Sequence, residues 1–96
     1  MNLSNNTVLI TGGSSGIGQA LAARFLARGN TVIVTARSEA RLAAARAALP
    51  GVHTLVCDQA DPAAVARLCD ALAAGFPALN VLINNAGIGL KLNLND

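Results

Sequence analysis

Between residues 11 and 18 the chain reads TGGSSGIG, and its glycines at Gly12, Gly16 and Gly18 form the pattern T-G-x-x-x-G-x-G. Glycines at this spacing let a backbone turn sharply and come close to another group, because no Cβ stands in the way. When such a turn opens a helix, the first peptide N–H groups have no intrahelical acceptor and carry partial positive charge. That is the chemistry of anion binding, and a pyrophosphate suits it. Ser14 and Ser15 add hydroxyl donors, and Ile17 lies between the last two glycines. A nucleoside-triphosphate loop would need a lysine directly after its last glycine, where this chain has Gln19. The rival role for the glycines is a plain strand-to-helix turn with no ligand.

Two further positions extend the pattern. About 20 residues beyond a dinucleotide-binding loop, an acid usually accepts the ribose 2′-hydroxyl of NAD. Here the chain has Thr35-Ala36-Arg37-Ser38. Ala36 leaves room where a carboxylate would repel a 2′-phosphate, and Arg37 offers a planar fork of donors to one. The pattern therefore predicts NADP(H) rather than NAD(H), against the alternative of Arg37 as a solvated arginine. Further on, Cys57-Asp58-Gln59 follows an apolar run. Asp58 can accept from an adenine amino group, or it can simply end the strand as a turn residue.

These residues must be positioned by the elements around them. Residues 7–11 and 31–35 are short, branched and continuously apolar between threonines, as in parallel strands covered on both faces. Residues 15–28 favour helix, with Ile17, Leu21 and Phe25 predicted on its apolar side and Gly29-Asn30 ending it. Ser38 is suited to cap a second helix with Glu39 in its first turn, running to Leu49 before Pro50-Gly51 breaks it. Residues 52–56 read as a third strand. Asp61-Pro62 then combines an N-cap with proline at the first helical position, and Val65, Leu68, Cys69 and Leu72 mark a predicted buried stripe up to Gly75. Residues 81–83 form a fourth strand, closed by Asn84-Asn85-Ala86-Gly87.

The order β-α-β-α-β-α-β with right-handed crossovers predicts an α/β, Rossmann-like, doubly wound parallel sheet with strands in the order 3-2-1-4. The chain reverses direction between strands one and four, and ligands bind such sheets at that switch, beyond the carboxyl ends. The glycine stretch begins there.

Composition narrows the remaining classes. The chain has 96 residues, net charge +2, 53% hydrophobic and 12% charged residues, which fits one small buried domain over 1–96 and not disorder. No basic run interleaved with aromatics speaks for nucleic acid. His53, Cys57 and Cys69 are too few for a four-ligand zinc site, so no metal is expected and two free thiols are. The N-terminus has no basic segment leading into an apolar one, and no run approaches a membrane span, so a cytoplasmic location is expected.

TGGSSGIG and Asn84-Asn85-Ala86-Gly87 together resemble the cofactor loop and the N-N-A-G motif of the short-chain dehydrogenase/reductase family. Arg37 falls where NADP-preferring members carry a base, and Asp58 where members carry an adenine-binding acid. The resemblance covers essentially the whole chain. It implies a nicotinamide dinucleotide as partner and adds Asn85, Ala86 and Gly87, whose backbone would pass the cofactor riboses, to Gly12, Ser14, Ser15, Gly16, Ile17, Gly18, Arg37, Ser38, Asp58 and Gln59. Equally, the asparagines can bond across strands without touching a ligand. The family's catalytic Tyr-x-x-x-Lys pair and serine have no counterpart: there is no tyrosine, the one lysine is Lys91, and the last serine is Ser38. No catalytic residue is assigned. The expectation is a truncated, NADP(H)-binding portion of an oxidoreductase, inactive alone. A nucleotide-binding module without chemistry and an inert fragment are its rivals, and an uncovered edge on strand four would favour self-association.

Overall fold

The computed structural model describes residues 4–12 and 16–84. Among them strands and helices alternate: β1 (Thr7–Thr11), α1 (Gly16–Ala27), β2 (Thr31–Ala36), α2 (Glu39–Ala48), β3 (His53–Val56), α3 (Pro62–Gly75) and β4 (Val81–Asn84). All pairings are parallel and the sheet order is β3-β2-β1-β4, as the crossover rule requires. β1 has a partner on each side, with Thr7 to Thr11 opposite Thr31 to Thr35 and Val8 to Thr11 opposite Val81 to Asn84. Hence its middle residues are apolar in succession: Val8, Leu9 and Ile10 are all buried.

Alternation along the strands divides these residues between two layers. Val8, Ile10, Val32, Val34, Val81 and Ile83 join Ala22, Leu42, Ala45 and Leu49 of the α1 and α2 segments in one apolar cluster. Leu9 and Ile33 point the other way and pack with Ala64, Leu68 and Leu72 of α3 and with Cys57. The sheet is thus enclosed by helices on both faces. Each fully buried Val, Leu or Ile contributes about 1.5–3 kcal/mol relative to exposure. On β4, Leu82 lies between the buried Val81 and Ile83 and is 51% exposed.

Local chemistry sets the helix ends. The Ser38 side chain accepts the Arg41 N–H at 3.2 Å, and Asp61 Oδ1 accepts the Ala63 N–H at 3.0 Å, with Pro62 opening α3. α1 stops where Gly29 takes a φ of +83°, its N–H turning back to the Leu26 carbonyl at 3.0 Å.

The buried face of α1 sits one position away from the sequence expectation, and α3 buries the expected Leu68 and Leu72 but not Val65 and Cys69. α1 buries Gly18 and Ala22, with Leu21 and Phe25 at the margin, while Ile17 is 53% exposed. Small side chains along the inward line bring the α1 backbone close to the sheet, and the larger residues flank it. In α3 the buried line is Ala64, Leu68 and Leu72, and Val65 and Cys69 face outward from its shoulder. Here too a small residue, Ala64, occupies the inward position.

At the amino edge an asparagine net ties three strands together. Asn30 Oδ1 accepts the Asn6 N–H at 2.9 Å, and its Nδ2 donates to the Phe25 carbonyl at 2.8 Å. Asn80 Oδ1 accepts the Thr7 N–H at 2.9 Å, while its Nδ2 donates to Asn6 Oδ1 at 2.9 Å. Asn6 and Asn30 are both buried. Nothing in the hydrophobic pattern singles these residues out. Asn30→Ala strands the buried Asn6 N–H and is expected to destabilise the fold by about 1–3 kcal/mol. Urea unfolding at equilibrium measures this, and a loss below about 0.5 kcal/mol would remove the net as a stabilising element.

Candidate functional site

The pairing registers bring the carboxyl ends of the strands to one edge. Thr11 lies opposite both Thr35 and Asn84, and Ala36 opposite Val56. The residues that follow, Gly12 after β1, Arg37 after β2 and Cys57-Asp58 after β3, leave the sheet side by side with Asn84. Of the residues singled out in the sequence, Gly12, Gly16, Ile17, Gly18, Arg37, Ser38, Asp58 and Gln59 fall within these strand ends and the helix starts that follow them. Ser14, Ser15, Asn85, Ala86 and Gly87 lie outside the described residues.

Two of the glycines take conformations that other residues resist. Gly12 has a φ of +68° and Gly16 of +59°. A Cβ would cost roughly 1–2 kcal/mol in this left-handed region. At Gly16 a Cβ would meet nothing within 4 Å, so the glycine answers to the turn and opens the space beside it. α1 begins at Gly16 with no acidic residue in its first turn. Its amino end therefore carries its dipole charge without a carboxylate of its own to neutralise it. Gly18 is buried, consistent with close packing of the helix, whereas Ile17 is exposed at the helix start.

Side-chain hydrogen bonds brace this edge. The Thr11 hydroxyl lies 3.0 Å from Asn84 Oδ1, to which it donates, and the Gly12 N–H donates to Thr35 Oγ1 at 3.4 Å. Thr11 and Thr35 are buried. The cross-strand role considered for the asparagines is therefore real for Asn84. Thr11, Thr35 and Asn84 were not read from sequence as a unit. Their signal was a polar residue ending each of three neighbouring apolar runs.

Past β2, Ala36 is buried and Arg37 is exposed, with no hydrogen bond or ion pair from its guanidinium among the described residues. Ser38 is half-buried, and its oxygen accepts the Arg41 N–H, which leaves its O–H proton free to donate elsewhere. Past β3, the Cys57 N–H carries the ladder on to the Ala36 carbonyl at 2.9 Å. Asp58 is exposed, and its Oδ1 accepts the Ala60 N–H at 2.9 Å in a turn that also joins the Asp61 N–H to the Asp58 carbonyl at 3.0 Å. Asp58 is thus a turn residue, and it retains a second carboxylate oxygen. Gln59 is exposed in the same turn.

Cys57 is 2% exposed and unbridged, while Cys69 is exposed on α3. Burial pushes the Cys57 thiol up, and the neighbouring Asp58 carboxylate adds to the effect. No metal-ligating group of three or more His, Cys, Asp or Glu side chains forms among the described residues, and none of their helices is long and apolar enough to cross a membrane.

Comparison with known proteins gives a consistent result. Residues 6–96 match the family described as short chain dehydrogenase. The chain is 56% identical over 93 residues to an uncharacterized oxidoreductase, DltE, of Bacillus subtilis (strain 168), covering 97% of this chain and 37% of that protein. It is 38% identical over 86 residues to the NADP-dependent 3-hydroxy acid dehydrogenase YdfG of Salmonella typhi, covering 88% of this chain and 35% of that one. Among solved structures, menthone neomenthol reductase from Mentha piperita superposes with a TM-score of 0.81 at 34% identity, over 88% of this chain and 32% of the other.

The two thiols provide a direct check on the edge after β3. A thiol reagent at neutral pH is expected to label Cys69 at once and Cys57 only as the fold opens, so equal rates would contradict the burial of Cys57. The folded Cys57 thiol holds its proton more tightly than the unfolded one. Its contribution to stability is therefore full below the ordinary thiol range, near 8.5, and is lost as pH rises through the folded value.

Proposed function

Since this chain belongs to the short-chain dehydrogenase family, we propose that it is the NADP(H)-binding portion of an oxidoreductase that interconverts a carbonyl and an alcohol. The single observation that carries the reading is the shared carboxyl edge of β1, β2 and β3. There the left-handed glycines Gly12 and Gly16 adjoin an α1 start without acidic residues, beside an Arg37 that is unpaired among the described residues. A pyrophosphate finds peptide donors and a positive helix end at the glycines. One strand away, the Arg37 guanidinium suits a 2′-phosphate, aided by the Ser38 hydroxyl. The free carboxylate oxygen of Asp58 suits the adenine amino group.

The donor set fits the group chemically. It offers peptide and hydroxyl donors for phosphates, a cation for the additional phosphate and an acceptor for the base. Bound nicotinamide supplies the hydride chemistry. The residues of this chain bind and orient, with Gly12, Ser14, Ser15, Gly16, Ile17 and Gly18 at the diphosphate and Asn85, Ala86 and Gly87 alongside the riboses. No proton-transferring residue is assigned among them. The Salmonella typhi relative, by name an NADP-dependent 3-hydroxy acid dehydrogenase, supports the choice of phosphorylated cofactor.

Calorimetric titration of the 96-residue chain tests the proposal. NADPH is expected to bind saturably and more tightly than NADH, and Arg37→Asp to reverse or abolish that preference. A carboxylate repels the 2′-phosphate and accepts from a free 2′-hydroxyl. An unchanged preference would overturn the cofactor assignment.

A further inference from the structure

Thr35 places a hydroxyl where burial alone would be served by valine. It is the fifth residue of β2, is 1% exposed, and stands opposite Thr11 on one side and Leu55 on the other. Alternation puts it on the face of Ile33, whose neighbours Leu9, Leu55 and Leu68 form an apolar layer. Threonine and valine have nearly the same shape and both suit a strand, so packing here does not call for an oxygen. A buried hydroxyl destabilises unless a hydrogen bond offsets its lost hydration. Thr35 Oγ1 accepts the N–H of Gly12, the residue that leaves β1, at 3.4 Å.

Gly12 is a residue that needs such a partner. Its φ of +68° turns the chain out of the sheet, and glycine reaches that region without steric cost. The same freedom lets a glycine take negative φ about as readily, so the residue type by itself does not select the turn. A bond from its N–H to a fixed acceptor does select it. Thr35 supplies that acceptor from a strand held on both sides, by β1 and by β3. Through this turn the glycine stretch leaves the sheet on its way to the amino end of α1 at Gly16.

We propose that Thr35 is a positioning residue for the dinucleotide, its hydroxyl fixing the left-handed turn at Gly12 and so presetting the glycine stretch for the diphosphate. This role rests on the dinucleotide reading above, but not on the choice between NADP(H) and NAD(H), since both carry the diphosphate. Thr35 touches no ligand and acts through the Gly12 amide. A preset loop avoids part of the ordering cost that a freely turning one meets on binding. Loss of the hydroxyl therefore weakens both cofactors alike, whereas a change at Arg37 alters their ratio.

Thr35→Val and Thr35→Ser, titrated with NADPH and NADH and followed by amide hydrogen exchange, test it. Thr35→Val is expected to weaken both dinucleotides about 3- to 10-fold, the worth of one hydrogen bond, with their ratio unchanged. Thr35→Ser keeps the oxygen and should retain most of the affinity. Without ligand, Thr35→Val should speed exchange at the Gly12 amide and leave Leu9 and Ile10 protected, while a general loosening would move all three. Unchanged affinity or unchanged Gly12 exchange in Thr35→Val would overturn the role, as would equal losses in Thr35→Val and Thr35→Ser. If the wild-type chain binds neither dinucleotide while Gly12 exchange still answers to the hydroxyl, the cofactor reading falls and the positioning role falls with it.

Discussion

The register of β1 against its two neighbours is the constraint on which this molecule depends. A slip of one residue would send Val8 and Ile10 to the α3 side and Leu9 to the other, mixing two apolar layers that now stay separate. It would also break the alignment of Thr11 with both Thr35 and Asn84. Register is held by polar side chains at each end. Asparagines clasp the strand entries, and the Thr11–Asn84 and Gly12–Thr35 bonds clasp the exits. Between these clasps the strands are apolar and add burial on two faces and the parallel backbone ladder.

That arrangement explains why a hydrophobic sheet ends in a chemically varied edge. Within β1 and β2 the backbone groups are occupied by neighbouring strands. Just past the strands the side chains change from branched apolar to glycine, arginine and aspartate. The left-handed turn at Gly12 and the bare start of α1 then collect peptide donors on one side, while Arg37 contributes charge from the adjacent strand. The two groups leave adjacent parallel strands, so their proximity is a property of the sheet and not of any particular side chain.

Much of this was legible beforehand, and the exceptions have physical causes. Ser38 and Asp61 announced their helices because short polar side chains cap amides locally, without help from distant residues. The strand order followed from handed crossovers and short turns. The face of α1 was read one position off, and Val65 and Cys69 were added to a correctly read Leu68 and Leu72 in α3. Periodicity rewards large side chains, while Gly18, Ala22 and Ala64 are small residues on the buried lines. The net of Asn6, Asn30 and Asn80 escaped notice because its bonds span 24 and 73 or 74 residues of sequence. Asp58 was open to two readings, adenine acceptor or turn residue, and the structure holds the turn through one carboxylate oxygen.

The guanidinium of Arg37 holds up nothing, for it is solvated and bonded to no described residue. Residues without folded contacts can be exchanged at little energetic cost, generally within about 0.5 kcal/mol. A change of charge at residue 37 is therefore uncoupled from the stability of the fold. The clasped strands beneath stay as they are whichever charge stands at residue 37.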